Sequence, residues 1–492
     1  MATADDTWHM FRLTAVIVAA VTLARIAVLV ASPLELYPDE AQYWWWAQTP
    51  GLGYFSKPPL IAWIIRLSTF LFGDSEWAIR LPIPLLHAGA ALFVFAIARA
   101  FRPQDTRIAL WSALAYLTLP GVSYSSGLAS TDAPLLFFWT VTLLAFLRAV
   151  ERPSWRWSLL CGAALGLGIL AKYAMLFFIV ALTVSAIARA DVRRFLLSRR
   201  GAGAAAIAAL VVAPNVAWNA THAFATVAHL RKNADWSHAH FSAVNLANFI
   251  AGQFGVFGPI LMAAWLVGLW RILGKGKPAT QTMILAVMGG VPFALIAAQS
   301  FVSDANANWA ATAYVAALPI ALAELLDNWP RIVLWSSFLL HGAVLALLWI
   351  VLIRPPIADR LGVGNVFKRE EGWRDLAGAV SAEFARGKYD VVATDNRSVT
   401  AELLYYLRPD APPIRIWDPD TTSHNHFDMT MRLTAPAGHV LLVLAPENAA
   451  QVAPTFESVR GVATVKTPVG GRHERVLRLY DAHFYRGPLM PS

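Results

Sequence analysis

The sequence FRLTAVIVAAVTLARIAVLVA, from Phe11 to Ala31, contains two arginines and otherwise almost only apolar residues. At a rise of about 1.5 Å per residue, a helix of this length is about 30 Å long, which matches the hydrocarbon core of a bilayer. The N-terminal region lacks the basic start, short apolar core and small-residue cleavage site of a secretory signal peptide. We therefore expect a first transmembrane helix that is retained.

The composition extends this expectation to the whole chain. Of its 492 residues, 57% are hydrophobic and only 14% are charged, and the mean hydropathy is +0.51. A soluble protein rarely has this balance, because polar groups must cover its surface. The single cysteine, Cys161, excludes a disulfide framework and a thiolate metal site. We predict a polytopic α-helical membrane protein.

Hydropathy predicts about eleven transmembrane helices. With the N-terminus in the cytoplasm, the inner loops carry fifteen lysine and arginine residues and the outer loops carry six. This is the distribution that the positive-inside rule describes, and it accounts for the net charge of +9 without a nucleic-acid partner. It also places the C-terminus outside. The predicted spans are residues 11–31, 79–101, 107–120, 131–149, 157–171, 173–190, 203–219, 247–271, 280–299, 309–326 and 331–353.

The composition changes after Ile353, where short apolar and charged segments alternate with prolines. We predict a membrane domain over residues 1–353, with its first outer loop at about 32–78, and an extracytoplasmic α/β domain over residues 354–492. The second domain contains no phosphate-cradling glycine loop. Its predicted elements are helices at 371–385, 399–407 and 447–457, strands at 389–393 and 439–444, and a turn at 469–472.

The first outer loop contains the stretches YPDEAQYWWW, from Tyr37 to Trp46, and YFSKPP, from Tyr54 to Pro59. Two adjacent carboxylates, Asp39 and Glu40, and a lysine, Lys57, therefore lie at one membrane surface. Charge is costly at the edge of the hydrocarbon, so this set indicates chemistry or binding. Two alternatives stay open. One is an interfacial aromatic belt with ordinary flanking charges, and the other makes Asp39 a helix cap, which leaves Glu40 unexplained.

Further polar residues lie on the same predicted outer face. Asp132 is at the start of the fourth span, where a helix cap is the alternative role. Lys172 lies in a tight external turn, where contact with lipid headgroups is the alternative. Arg231 belongs to a basic loop suited to an anionic ligand, and Asn308 belongs to another short outer loop.

This outer face combines carboxylates that can accept a proton, cations that can hold an anionic leaving group, and aromatic planes for a sugar ring or an acyl chain. Such a set suits transfer of a group from a phosphate-activated lipid. We predict that Tyr43, Tyr54, Asp132 and Asn308 position the substrate.

Six segments of the membrane region together carry a resemblance to a known family. They are Tyr37-Pro-Asp-Glu-Ala-Gln-Tyr-Trp44, Gly53-Tyr-Phe-Ser-Lys-Pro-Pro-Leu60, Ser130-Thr-Asp-Ala-Pro-Leu-Leu-Phe-Phe-Trp139, Leu165-Gly-Leu-Gly-Ile-Leu-Ala-Lys172, Phe254-Gly-Val-Phe-Gly-Pro259 and Asn306-Ala-Asn-Trp309. Together they resemble the GT-C membrane glycosyltransferases of the family 39 type. The most similar groups are the protein O-mannosyltransferase-like and the lipid A aminoarabinose or galacturonic acid transferases. The resemblance covers about residues 10–353, and the Asp-Glu pair with Lys-Pro-Pro is its most specific part.

The resemblance implies an inverting, single-displacement transfer from a polyprenyl-phosphate-linked sugar donor. It also implies the periplasmic face of a bacterial inner membrane as the place of reaction. Asp39 falls on the family's acidic position in the first loop and is implied as the general base, with Glu40 orienting it or the acceptor. Lys57 is implied as the contact to the donor phosphate, helped by Lys172 or Arg231.

Asp132 matches a second acidic position of the family, with a role in positioning or in metal binding. A divalent cation is therefore left open, and no other cofactor is implied. The acceptor also stays open among a lipid, a glycan and a protein. A transporter or flippase of lipid-linked sugars is the alternative function, although the chain shows no internal repeat of the transporter kind. A non-catalytic scaffold is a third, which leaves the cluster of Asp39 and Lys57 without a role.

Overall fold

The computed structural model describes residues 4–234, 241–274, 276–419, 422–471 and 473–488. The chain is helical up to residue 387, and short strands alternate with helices after that. The first helices are α1 Ala4–Ala31, α2 Pro38–Gln48, α3 Leu60–Phe72, α4 Glu76–Arg80, α5 Pro82–Phe101, α6 Thr106–Thr118, α7 Pro120–Ser125, α8 Asp132–Glu151, α9 Trp155–Ala171, α10 Leu176–Ala188, α11 Ala190–Leu196 and α12 Arg199–Thr221. They are followed by α13 Ala225–Ala234, α14 Ala243–Phe257, α15 Pro259–Gly274, α16 Thr280–Val302, α17 Ala311–Asn328, α18 Arg331–Ile353, α19 Pro356–Arg360, α20 Trp373–Gly387, α21 Arg397–Tyr406, α22 His426–Thr430 and α23 Ala449–Val452.

The chain divides into two compact units. The first consists of residues 1–30, 57–61 and 80–349, and the second of residues 31–56, 62–79 and 350–492. Most of the first outer loop thus belongs to the same unit as the C-terminal residues, whereas the sequence analysis assigned it to the membrane domain. The predicted domain boundary at residue 353 stays a prediction.

Among the described residues, seven helices are long and apolar enough to cross a membrane, and each coincides with a predicted span. Two other predicted spans, 157–171 and 173–190, are the shorter apolar helices Trp155–Ala171 and Tyr173–Ala188. The seven long ones are Asp5–Ala31, Glu76–Phe101, Asp132–Glu151, Arg199–Thr221, Thr280–Val302, Ala307–Asn328 and Arg331–Ile353.

Two predicted spans are not single straight helices. In the span predicted at 107–120, helix α6 ends at Thr118, because a residue that precedes a proline disfavours helical backbone and Pro120 starts the short helix α7. In the span predicted at 247–271, α14 and α15 meet at an angle of 107°. The bend lies at Gly258, whose φ of +88° suits only glycine, and it is followed by Pro259.

The second unit contains a five-stranded sheet. Its strands are β1 Val391–Thr394, β2 Ile414–Ile416, β3 His439–Leu444, β4 Phe456–Pro468 and β5 Glu474–Tyr485, in the order β2-β1-β3-β5-β4. The strands β2, β1 and β3 are parallel, while β5 runs antiparallel to both β3 and β4. β1 and β3 are almost entirely buried, which is typical of parallel strands covered on both faces.

Two of these strands, β1 and β3, coincide with predicted strands, whereas β2, β4 and β5 were not predicted. The helix predicted at 447–457 is confirmed in part: 3₁₀ turns at Pro446–Asn448 and Ala453–Thr455 flank α23, and β4 begins at Phe456. The alternation of β-branched and polar residues along β4 is a strand signal that was not used. The glycine pair predicted as a turn does connect β4 to β5, with φ values of +66° at Gly470 and +60° at Gly471.

Candidate active site

Helix α2 begins at Pro38, so that Asp39 and Glu40 occupy its second and third positions. Proline fits a first helical position, because the N–H that it lacks would have no partner in the helix. From the third position Glu40 reaches back, and its Oε2 accepts a hydrogen bond of 2.9 Å from the N–H of Tyr37. The Glu40 side chain is fully buried. The capping bond therefore belongs to Glu40, contrary to the alternative that made Asp39 the cap.

The Asp39 carboxylate is anchored through one of its oxygens. Nη1 of Arg397, the first residue of α21, lies 2.8 Å from Asp39 Oδ1 and 2.8 Å from Gln42 Oε1. Asp39 is partly accessible, with 37% of its side chain exposed. Within the described part of the chain, Asp39 Oδ2 accepts no hydrogen bond. A carboxylate held in this way can accept a proton from a hydroxyl group that approaches Oδ2.

Arg397 also lines a pocket of about 420 Å³ within the second unit. Four side chains of the pocket are basic, Lys368, Arg369, Arg397 and Arg475, and none of the described residues that line it is acidic. Arg475 packs over Trp373 at 3.4 Å from the ring centroid, and burial lowers its pKa to about 10. Such a concentration of positive charge attracts an anionic ligand.

The two tyrosines predicted to position the substrate are packed inside the second unit. The ring of Tyr54 stacks on Trp46 with centroids 4.2 Å apart and planes 2° apart. Its hydroxyl donates to the carbonyl of Trp46 at 3.2 Å and accepts from the N–H of Gly51 at 2.8 Å. Tyr43 is equally buried and lies 5.4 Å from the Trp46 ring. These rings hold the end of α2 and its following loop, and their contact with substrate stays a prediction.

A second set of predicted residues meets in the first unit. Lys172 Nζ lies 2.6 Å from Asp132 Oδ1, and the Asn308 amide donates to Asp132 Oδ2 at 2.8 Å. Lys57 acts on the same carboxylate as a nearby positive charge. Lys172 is thus an ion-pair partner, with 20% of its side chain exposed, rather than a contact to lipid headgroups. Two lysines thus lie near one carboxylate, and a lysine ammonium is a common contact of a phosphate group.

Arg231 is exposed on α13, and within the described ranges it makes no ion pair or side-chain hydrogen bond. Its role towards a donor phosphate stays a prediction. Asp132 is not part of any group of three or more metal-ligating side chains among the described residues. Since both of its oxygens accept hydrogen bonds from nitrogen donors, the geometry favours positioning over metal binding for Asp132.

Arg397 and Gln42 are partners of Asp39 that were not predicted from the sequence. Gln42 follows Asp39 by three residues, which places both side chains on one face of α2. That spacing was a usable signal. Arg397 is separated from Asp39 by 358 positions, and nothing in its local sequence distinguishes it from an ordinary surface arginine.

Comparison with known proteins links this chain to one family. Residues 56–218 match the family model described as dolichyl-phosphate-mannose-protein mannosyltransferase. The lipid A galacturonosyltransferase RgtD of Rhizobium johnstonii is 36% identical over 438 residues, which cover 87% of this chain and 89% of that protein. An undecaprenyl phosphate-alpha-4-amino-4-deoxy-L-arabinose arabinosyl transferase of Pseudomonas aeruginosa is 32% identical over 127 residues, 25% of this chain and 23% of that protein.

A solved structure shares the fold over almost the whole chain. It is ArnT from Cupriavidus metallidurans bound to undecaprenyl phosphate, with a TM-score of 0.64. The match covers 95% of this chain and 97% of that one at 16% sequence identity. At this identity the similarity concerns the fold and not the choice of substrate.

Proposed function

The chain belongs to the GT-C family of membrane glycosyltransferases, and from that premise we propose an inverting transfer of galacturonic acid from a polyprenyl-phosphate donor to lipid A. The proposed sugar and acceptor follow the relative that is similar over 87% of the chain. Transfer of an aminoarabinose, as the name of the arabinosyl relative describes, is the second candidate, supported over 25% of the chain.

The reaction is a single displacement at the anomeric carbon of the donor sugar. The acceptor hydroxyl oxygen forms a bond to that carbon, the bond between the carbon and the phosphate oxygen breaks, and polyprenyl phosphate leaves with the electron pair. The hydroxyl proton goes to a base. A lipid phosphate is already an activated leaving group, so the enzyme's contribution is orientation and stabilisation of charge.

One observation carries the role of Asp39 as this base. Its Oδ1 is held by Arg397, while its Oδ2 accepts no hydrogen bond from the described residues. A general base needs a fixed orientation and one oxygen within about 2.6–3.2 Å of the proton that it takes. Glu40 fixes the start of α2 and thereby the backbone that carries Asp39.

The donor phosphate is assigned to Lys57 and Lys172. Both lysines carry a positive charge close to Asp132. Their ammonium groups can stabilise the negative charge that develops on the phosphate as the bond to the sugar breaks. Asn308 and Lys172 bind the two oxygens of Asp132, so that the Lys172 ammonium group keeps its position.

The basic pocket beside Asp39 supports an anionic acceptor. Arg397 lines this pocket and contacts Asp39 at the same time. A phosphorylated glycolipid such as lipid A offers charges that Lys368 and Arg369 can bind while its hydroxyl group approaches the carboxylate.

We assign the protein to a bacterial inner membrane with about eleven transmembrane helices. The N-terminus is then cytoplasmic, and the α/β domain and the reaction are periplasmic. The distribution of basic residues along the sequence supports this orientation. A cysteine-accessibility assay with cysteines introduced at exposed positions of the α/β domain measures it directly.

Mass spectrometry of lipid A tests the proposed function. A deletion strain receives the wild-type protein, Asp39→Asn, or the control Asp410→Asn, which changes an exposed aspartate elsewhere in the second unit. We expect the galacturonic acid-bearing lipid A to be lost in the deletion and Asp39→Asn strains and retained with the control. Unused polyprenyl-phosphate sugar accumulates in the two defective strains.

One further outcome separates the alternatives. If the Asp39→Asn strain has wild-type lipids while the deletion strain does not, the catalytic assignment is wrong and a transporter or scaffold is favoured.

Kinetics of the purified protein test the role of Lys57. The variant Lys57→Ala is expected to raise the donor concentration needed for half-maximal rate far more than the acceptor concentration needed for it. Lys277→Ala, at an exposed position, is the control.

A further inference from the structure

Three side chains that can bind a metal ion meet on the sheet of the second unit, and the transfer reaction uses none of them. His439 of β3 lies directly opposite His483 of β5 in the strand register, and Asp481 precedes His483 by two residues on β5. Because successive side chains of a strand alternate between faces, all three project from the same face of the sheet. Their potential ligand atoms lie within 4.8 Å of one another.

The two imidazoles converge on a single oxygen atom. His439 Nε2 lies 2.8 Å and His483 Nε2 lies 3.1 Å from Asp481 Oδ1. The histidine rings are stacked, with centroids 4.3 Å apart and planes 9° apart. Stacking fixes both rings with the same nitrogen towards the carboxylate. Two imidazole nitrogens and one carboxylate oxygen thus lie close enough together to bind one cation.

The surroundings support the three side chains without blocking access to them. The ring of Tyr389 packs against His439 at a centroid distance of 4.4 Å. Asp481 is 15% exposed, His439 is 24% exposed and His483 is 43% exposed, so that one side is open. Arg460 of β4 is paired with Asp481 in the strand register, and its Nη2 lies 3.3 Å from Asp481 Oδ2. That contact orients the carboxylate through the oxygen that the histidines do not use.

We propose that His439, Asp481 and His483 bind a divalent metal ion such as zinc, which is also the probe used to test the site. Two imidazole nitrogens and one carboxylate oxygen are a donor set that zinc binds at about 2.0–2.2 Å. In tetrahedral geometry such ligand atoms are about 3.3 Å apart, which follows from these bond lengths. The separations of 2.8 Å and 3.1 Å need to increase by only a few tenths of an ångström.

The proposed ion has a definite place in the fold and is independent of the transfer reaction. Strand β3 belongs to the parallel half of the sheet, whereas β5 belongs to the antiparallel pair β4–β5. An ion bound to residues of β3 and β5 therefore joins the two halves. Three protein ligands leave a fourth coordination position open to water or to an oxygen of an outside molecule.

Metal binding by the full-length protein tests this inference. Tag-free protein in detergent is stripped with a chelator and titrated with Zn²⁺ by calorimetry, and in parallel with Co²⁺ while visible absorption is recorded. The variants are His483→Ala and Asp481→Asn. The control is His473→Ala, at an exposed histidine of the turn between β4 and β5.

We expect wild-type protein and the control to bind one equivalent that both variants lose. Loss of an outer partner of a metal ligand weakens binding about 10- to 100-fold, so loss of a ligand is expected to weaken it by more than about 100-fold. The Co²⁺ absorption of a tetrahedral site should vanish together with that equivalent. Asp481→Asn keeps the shape of the side chain, so that it decides the result if His483→Ala does not fold.

Equal stoichiometry and affinity for Zn²⁺ in the wild type, the control and folded Asp481→Asn overturn the proposal. That result leaves the proposed transfer untouched, because the assay measures binding alone. Conversely, loss of the metal equivalent with unchanged transfer by Asp481→Asn supports an ion that serves the sheet. Circular dichroism of each variant establishes that the protein compared is folded.

Discussion

Arg397 donates a hydrogen bond of 2.8 Å to Asp39, and these residues are 358 positions apart in the chain. The same guanidinium nitrogen contacts Gln42, so that Arg397 binds two side chains of one face of α2. The carboxylate proposed as the base is thus held by the first residue of a helix from the C-terminal part of the chain. This gives the C-terminal part a direct connection to the proposed chemistry.

Replacement of Arg397 by alanine is expected to lower the turnover number about 10- to 100-fold. Asp39 then loses the contact that fixes its orientation, and small displacements of catalytic groups have effects of this size. Steady-state transfer by purified protein measures it. Arg397→Lys should restore part of the rate, and Arg386→Ala, at an exposed arginine of α20, should not change it. Unchanged or increased turnover in Arg397→Ala contradicts a positioning role.

The pair of Lys172 and Asp132 gives a prediction about stability as well as activity. Lys172→Ala removes the cation from a carboxylate that is only 16% exposed, and breaking a largely buried ion pair costs about 3–5 kcal/mol. The double variant Lys172→Ala with Asp132→Ala should recover much of that loss, because the carboxylate that has lost its lysine is removed as well. Thermal unfolding in detergent measures both.

Activity separates the two roles of this pair. We expect the double variant to be stable and to transfer sugar poorly, since the donor phosphate has lost its contact with Lys172. A stable double variant with wild-type donor use restricts the pair to a structural function. A double variant as unstable as Lys172→Ala shows that the unpaired charge is not the cause of the destabilisation.

Much of the membrane region could be predicted from the sequence, because each long span is encoded locally. A run such as Phe11 to Ala31 specifies its own helix by length and hydropathy, without reference to distant residues. The same is true of Glu40, since a glutamate at the third position of a helix caps its own start. The bend at Gly258 was also encoded locally, by a glycine followed by a proline, but the long apolar window concealed it.

The remaining features depend on contacts between distant residues. Strand β4 is mostly exposed and is stabilised by its pairing with β5, so its sequence lacks the continuous apolar run by which β1 and β3 were predicted. The pairing of Asp39 with Arg397 has no local signal at all. Nor has the meeting of His439 with Asp481 and His483, which depends on the register of two strands. The residues proposed for the candidate site are recognisable in the sequence, whereas their partners from distant parts of the chain are not.

Gly258→Ala is expected to destabilise the first unit strongly. A β-carbon at this position would lie 2.0 Å from His341 Nε2, and the φ of +88° is unfavourable for any other residue. Backbone strain of this kind alone costs about 1–3 kcal/mol.

The control Gly290→Ala lies inside α16, where a β-carbon meets no atom of the described chain within 4 Å. It should be neutral or stabilising by up to about 1 kcal/mol. Melting temperatures in detergent measure the stability of both variants. Equal stability of the two variants contradicts a requirement for glycine at the bend.

The buried carboxylate of Glu35 predicts a pH dependence with a definite sign. Desolvation by burial raises its pKa above the ordinary 4.5, although the N–H groups of Trp373 and Arg374 donate to it at 2.6 Å and 3.1 Å and oppose the shift. A carboxyl group with a raised pKa in the folded state holds its proton more tightly there than in the unfolded state. Its contribution to stability is therefore fully present below pH 4.5 and is lost as the pH rises through the folded-state pKa.

The variant Glu35→Gln keeps an acceptor oxygen and does not titrate. Relative to this variant, the wild type should lose unfolding free energy as the pH rises above 4.5. Melting curves of both proteins across this range measure the difference, with the exposed Glu457→Gln as control. A difference between wild type and Glu35→Gln that stays constant with pH, or changes in the opposite direction, contradicts the assignment.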